Sequence, residues 1–492
     1  MKAKSELHCL VSNLKELLPI ANSHLVHFIT RNSFERMIPK YLQDEIMSLD
    51  MNEMNQLVLS RFSNDGTIPR PTNSTTPHLI SFLNDTQKLS LKHNSSCLSF
   101  EDLLKCIESK VDSGSSFHIS KHLMSMKKSH EVEIMSAIVA AIAKGEKCTH
   151  IIDVGGGKGY LSSVLALKHE LKVLSVDSSL VTSKGAERQM PKIEKLWMTF
   201  QKKSASSDTS NMRNATGTKE SKKYSELFKI ATNFITENTN VIEILNHSFP
   251  EDELGNVMLA GLHTCGNLAA SSIHLFLNNP KNVRCLVNVG CCYNLMTEEF
   301  NQNPCDLEHS SATNVSGVGF PMSAYLRDEK FVLGRNARML ATQPPDRMCH
   351  EGTVETDVLF YRALLELYLE KKLGSANGTS QFKVGKLKRK CSSFNEYVHK
   401  SIERLGIHIQ VDNDELQQLY DYHAEVSRKQ LHAFFLLKLT IAPAIEAVIM
   451  LDRLLYLQEQ GIQDAHLVQL FDPVVSPRCF SIVAFNRPKT NL

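Results

Sequence analysis

The stretch Ile151–Leu167, "IIDVGGGKGYLSSVLAL", constrains this chain more than any other. An apolar run ends at Asp153, glycines follow at 155, 157 and 159, and an amphipathic pattern resumes at once. That order predicts a strand, a tight turn and a helix, the opening of a βαβ unit. Glycine admits backbone conformations and close approaches that a Cβ blocks. The helix that follows presents its first N–H groups to a polar or anionic group.

The same alternation continues downstream. "LKVLSVDSS" reads as a second strand ending at Asp177, "NVMLAGLHTCG" as a third ending at His263, and "VRCLVNVGCCYNL" as the next. Helical stretches separate them, so the expectation is an α/β fold with right-handed βαβ units and a parallel sheet. "HLVQLFDP" and "CFSIVAFN" predict a late strand hairpin, about 466–486, at the sheet edge. Residues 1–118 read as a helical N-terminal region and 119–492 as the sheet-bearing domain. Polar, low-complexity composition predicts a disordered insertion at about 201–223 and a linker at about 373–392. Helical spacing predicts a helical insertion at about 393–460.

Composition narrows the partners. The net charge of +2 on 492 residues gives no global electrostatic case for DNA or an anionic membrane. The stretch from Phe434 is apolar but holds Lys438, Pro443, Glu446, Asp452 and Arg453, which predicts buried helices and not a membrane span. The N-terminus, broken by Glu6, Lys15 and Glu16, is unlike a secretory signal. A cytosolic or nuclear setting is expected, with the twelve cysteines mostly reduced.

Three readings of the glycine turn compete. A phosphate-binding P-loop would need glycine at 152 and Ser or Thr after Lys158; Ile152 and Gly159 stand there, and that reading fails. A dinucleotide turn would place its third glycine at 160, where Tyr160 stands, which weakens that reading without removing it. The third pattern, Asp-x-Gly-x-Gly-x-Gly from Asp153, resembles the class I S-adenosylmethionine-dependent methyltransferases. That resemblance implies a Rossmann-like sheet of order 3-2-1-4-5-7-6. It also implies S-adenosylmethionine held by Asp153, Gly155, Gly157, Lys158 and Gly159, with Asp177 on the ribose hydroxyls. The position of Asp177 suits dinucleotide folds as well, so it indicates a nucleoside more than a particular one.

In that strand order "GLHTCGNLA" and "NVGCCYNL" end side by side. These segments, with "MKKSHEVE", "GFPMSAYL", "LLYLQEQG" and "LFDPVVSPRC", resemble the methyltransferase-like protein 25 family over most of the chain from about residue 120. His263 and Cys265 are then expected to face the cofactor. His263 is the candidate base, Asn288 and Tyr293 are candidate substrate-positioning groups, and Cys265 or Cys292 lines the pocket. Nitrogen-directed methyltransferases usually carry Asn/Asp-Pro-Pro-Tyr/Phe after the fourth strand. This chain has "LHTCG" there, which argues against methylation of an adenine or glutamine nitrogen by that route.

No metal site is expected. His263, Cys265, Cys285, Cys291 and Cys292 form no Cys-x-x-Cys spacing, and Cys291 and Cys292 also read as small residues buried at a strand end. His130-Glu131 reads either as a group closing over the cofactor or as a solvated helix start. The functional expectation is a methyltransferase acting on a macromolecule, protein or RNA. A methyltransferase-fold scaffold or RNA-associated adaptor is the rival.

Overall fold

Runs rich in β-branched residues form a central sheet. In this computed structural model the residues described are 2–63, 75–107, 124–205, 224, 226–300, 319–374, 384 and 391–487. The insertion expected at about 201–223 and the linker expected at about 373–392 fall mostly outside them. The strands are β1 (Cys97–Leu98), β2 (Cys148–Val154), β3 (Lys172–Asp177), β4 (Phe228–Thr232), β5 (Asn256–Thr264), β6 (Val283–Gly290), β7 (Ala465–Gln469) and β8 (Phe480–Phe485). Their order is β1-β7-β8-β6-β5-β2-β3-β4. From β2 onward this is the 3-2-1-4-5-7-6 arrangement, with β1 added beyond β7. Every pairing is parallel except those of β8, which runs antiparallel to β6 and β7. Ile151, Ile152, Val173, Leu174, Leu259, Leu286 and Val287 are each fully buried. Such covered strands read as continuous apolar runs because both faces are packed.

Helix α1 (Met126–Gly145) precedes β2, α2 (Tyr160–His169) joins β2 to β3, α3 (Leu180–Ala205) follows β3, and α4 (Leu268–Asn278) joins β5 to β6. The β2–α2–β3 step moves toward one sheet edge and the β5–α4–β6 step toward the other. Right-handed crossovers in opposite directions place α2 and α4 on opposite faces. The reversal lies between β2 and β5, so the crevice beyond their carboxyl ends is where a ligand fits.

The chain divides differently from the expected boundary at 118/119. One unit comprises Met1–Ser12, Leu91–Pro344 and Ile445–Leu492 and contains the whole sheet; the other comprises Asn13–Ser90 and Pro345–Ala444. The second unit is built from segments far apart in sequence. Phe28 packs on Phe434, with ring centroids 5.4 Å apart. The Lys438 ammonium donates to the Ser23 carbonyl, 415 residues away in the chain. Leu59, Cys349 and Leu439 form a small core cluster. Partners so distant leave no local signal in sequence periodicity. The expected helical insertion is present as Phe394–Leu405, Asn413–His423 and α5 (Val426–Glu459). Helix α5 is long and apolar enough to cross a membrane, yet 89% of its most apolar window is buried inside the protein.

Candidate functional site

The glycine turn is held to β3 by its backbone. The N–H groups of Gly155 and Gly156 both donate to the Val176 carbonyl, at 2.8 and 3.2 Å. Gly155, Gly157 and Gly159 all have positive φ, at 74°, 57° and 70°. Their roles nonetheless differ. A Cβ on Gly157 would meet only the Gly155 carbonyl, 3.9 Å away, so this position faces open space. A Cβ on Gly155 would lie 3.0 Å from Leu268, and one on Gly159 would lie 3.0 Å from Phe228. Those two glycines allow close packing within the protein and do not clear a ligand. The tightest position is Gly156, which the alternate spacing passed over: its Cβ would stand 2.1 Å from the Ser175 hydroxyl and 3.0 Å from an Asp153 carboxylate oxygen.

Asp153 therefore lies beneath the turn and not in the crevice. Its carboxylate is 1% exposed and accepts the Ser162 hydroxyl at 2.6 Å. The expectation that it touches the cofactor is corrected: the end of a strand covered on both faces puts this side chain inside. Burial, reinforced by the nearby charge of Asp177 and only partly offset by Ser162, raises its pKa to about 6. The folded value lies above the unfolded value of about 3.9. The protonated acid thus stabilises the fold fully below about pH 4, and that contribution is lost as pH rises through about 6. The loss amounts to about 3 kcal/mol. In Asp153→Asn that slope disappears, so the stability difference between parent and variant changes by up to about 3 kcal/mol between about pH 4 and 7.5. Urea unfolding at several pH values measures it. A constant difference across the range would show that Asp153 stays ionised throughout.

Asp177, at the end of β3, is tied to the turn. One carboxylate oxygen accepts the Gly157 N–H at 3.1 Å; the other accepts the Ser179 N–H at 2.9 Å and the Thr182 hydroxyl at 2.5 Å. Lys158 projects from the turn and is exposed. Helix α2 begins on Gly159, which has no side chain to cap its first N–H groups.

His263 stands where β5 loses register with β6. Leu262 pairs with Val289 and Thr264 with Gly290, so His263 is an extra residue, with φ at 66°. Left-handed backbone at a non-glycine residue costs about 1–3 kcal/mol and recurs at functional sites, as do such bulges. The His263 Nε2 lies 2.9 Å from a Glu131 carboxylate oxygen. Glu131 sits on α1, is 1% exposed, and also accepts the hydroxyl of Ser476. Burial opposes its ionisation. The hydrogen bond and charge of His263, then the Ser476 hydroxyl, outweigh burial and hold Glu131 below the usual carboxylate range. An ionised Glu131 takes a proton bond from Nε2–H, which in the neutral ring leaves Nδ1 as the acceptor nitrogen. Of the two readings of His130-Glu131, the solvated helix start is overturned for Glu131. Ser476 lies within the segment "LFDPVVSPRC", but nothing in that segment marks its role.

Two further expectations are corrected. Asn288 is 3% exposed; its side-chain oxygen accepts the Thr264 hydroxyl at 2.8 Å, so it fastens β5 to β6. Tyr293 is 1% exposed and donates its hydroxyl to Glu446 at 2.8 Å. The guanidinium groups of Arg453 and Arg478 stand 5.9 and 5.7 Å from its ring centroid. Arg478 donates to Glu446 at 3.0 Å and also to the Ala341 and Gln343 carbonyls. Both side chains are buried and engaged with protein partners, as buried polar groups require. Cys265, Cys291 and Cys292 do converge. Cys265 is exposed, Cys292 half-buried and Cys291 buried, and their sulfurs all lie within 4.8 Å of one another.

Comparison with known proteins agrees with this geometry. Residues 127–299 match the family described as "Methyltransferase domain", a span that runs from α1 through β6. "Probable methyltransferase-like protein 25" of Mus musculus is 28% identical over 590 aligned positions, covering 98% of this chain and 96% of the mouse protein. The protein of the same name from Homo sapiens is 28% identical over 604 positions, covering 98% of this chain and 97% of its own. No solved structure matches. The chain thus carries a methyltransferase domain built on a Rossmann-like sheet and is similar, along nearly its whole length, to methyltransferase-like protein 25.

Proposed function

We propose that this chain is an S-adenosylmethionine-dependent methyltransferase acting on a macromolecular acceptor, a protein or an RNA, in the cytosol or nucleus. The observation that carries the reading is the open face above Gly157 beside the Asp177 carboxylate, at the point where strand order reverses. The residues fit the donor: a left-handed glycine leaves room for its amino acid end, and an acid at the end of β3 suits its ribose hydroxyls. When bound, the donor supplies an electrophilic methyl group on a sulfonium.

The protein's own task is then orientation and exclusion of water, which supplies roughly 7–11 kcal/mol of such a barrier. The turn fixes one end of the crevice and Asp177 another. Glu131 holds the His263 ring, so an acceptor that must lose a proton, a hydroxyl or a thiol, finds a base at this end of β5. The macromolecular acceptor is supported by the helical unit, Asn13–Ser90 with Pro345–Ala444, whose described residues add no strand to the sheet.

Calorimetric titration of S-adenosylmethionine into the full chain, with a nicotinamide dinucleotide as control, tests the donor. Asp177→Ala is expected to weaken binding about 10- to 100-fold, the equivalent of about 1.5–3 kcal/mol for a hydrogen bond to a charged group. Tight binding by the parent chain and equal binding by the variant would remove Asp177 from the site. Absence of donor binding by the parent would sink the proposal and favour a scaffold. Labelled methyl reaching only small metabolites in fractionated extract would sink the macromolecular part.

A further inference from the structure

We propose that Cys265, Cys291 and Cys292 form a binding site for one zinc ion, with three thiolate ligands and a fourth position open. The cluster borders the crevice assigned to the donor, since Cys265 directly follows β5 and feels the Asp177 charge, but metal binding is read independently of donor binding.

The register of the sheet creates the cluster. β5 and β6 are parallel neighbours in which Thr264 pairs with Gly290. Cys265 follows the first of these and Cys291 the second, so the two strands release their cysteines at the same level. The Thr264 hydroxyl locks that level by donating to the Asn288 side chain at 2.8 Å and to the Val289 carbonyl at 3.1 Å. The sulfurs of Cys265 and Cys291 are 3.1 Å apart, and those of Cys291 and Cys292 are 3.5 Å apart. A tetrahedral ion with bonds of about 2.3 Å to sulfur holds its ligands about 3.8 Å apart. The observed spacings, from 3.1 Å to at most 4.8 Å, bracket that value. Small outward movements of the side chains would admit the ion.

The chemistry suits zinc. Thiolates are soft ligands that select zinc over calcium or magnesium, and cysteine clusters in reducing compartments are more often metal sites than disulfides. All eleven described cysteines are free thiols. Each ligand gives its proton to solvent on binding, and the centre of three thiolates and one divalent ion carries one net negative charge. The buried guanidinium of Arg453 answers it, packed where a Cβ on Gly290 would stand 2.6 Å from one of its nitrogens. Among the described residues no histidine, carboxylate or fourth cysteine joins the group. Three protein ligands and an open position form the pattern of reactive zinc sites, where a water or an incoming thiolate takes the fourth place. Cys265, the exposed member, puts that place within reach of solvent.

Cobalt reports the ligand set directly. The full chain, reduced and freed of metal with a chelator, is titrated with cobalt and then with zinc. The expected result is one ion per chain, near-ultraviolet sulfur-to-cobalt charge-transfer bands, visible bands of tetrahedral intensity, and loss of both when zinc displaces the cobalt. Cys265→Ser and Cys292→Ser should each weaken binding by an order of magnitude or more, while Cys106→Ser, at an exposed cysteine outside the cluster, should not. The absence of charge-transfer bands from the reduced parent chain would overturn the proposal without recourse to any variant. So would full metal retention in a folded chain lacking all three cysteines, or a Cys265–Cys291 disulfide in freshly isolated protein. Donor calorimetry on the metal-free chain reads the methyltransferase proposal separately.

Discussion

Gly157→Val is expected to fold and to bind S-adenosylmethionine at least about 100-fold more weakly than the parent chain, a loss of about 2.8 kcal/mol. The left-handed backbone makes any side chain at 157 unfavourable, by roughly 1–2 kcal/mol. Most domains tolerate that penalty, since they hold several times as much stability. No protein atom stands within 3.9 Å of the new Cβ, so the branched side chain projects into the space assigned to the donor. Gly156→Ala makes the opposite control. Its methyl group would collide with the Ser175 hydroxyl at 2.1 Å, so it should unsettle the fold itself. Calorimetry with circular dichroism separates the two. Parent-like donor affinity in a folded Gly157→Val chain would mean that the donor does not lie over this turn.

Arg478→Met should cost about 3–5 kcal/mol of stability, the range for breaking a buried ion pair from one side. The guanidinium is 8% exposed and serves Glu446 and two carbonyls, none of which methionine can satisfy. The penalty comes chiefly from what is left behind: a buried Glu446 without its nearest cation. Accordingly the Arg478→Met, Glu446→Leu double variant should lose less than the sum of the single losses. Urea unfolding of the four chains closes the cycle. Additive losses would show that the two charges are screened from each other.

Much of the fold was legible because the strands are covered on both faces and therefore read as apolar runs ending in distinct residues. The strands and the places of Asp177 and the glycine turn followed from that, while the order of the sheet was implied by the methyltransferase resemblance. Side-chain direction at strand ends was not legible. Asn288 and Tyr293 are polar residues beside the crevice in sequence, and only the register shows that both turn inward to meet Thr264 and Glu446. The Glu131–His263 pair joins residues 132 apart, through a bulge that no composition announces. The convergence of Cys265, Cys291 and Cys292 has no local spacing to announce it, because the three sulfurs come from the ends of two neighbouring strands whose alignment brings them together. The alternation at 155, 157 and 159 hides Gly156 in the sequence, although it is the glycine with the tightest packing.

The place of β8 in the sheet also affects how the chain is made. β6 ends at Gly290, and the strand that covers its outer edge begins at Phe480, about 190 residues later. Ribosomes add about 5–20 residues per second, so that edge waits roughly 10–40 s for its neighbour. Throughout that time "VRCLVNVG" offers unpaired backbone groups and apolar side chains to other nascent chains. That edge is therefore expected to need shielding between synthesis of β6 and synthesis of β8. Slowed elongation over that interval should send more of the chain into aggregates than the same slowing before β2.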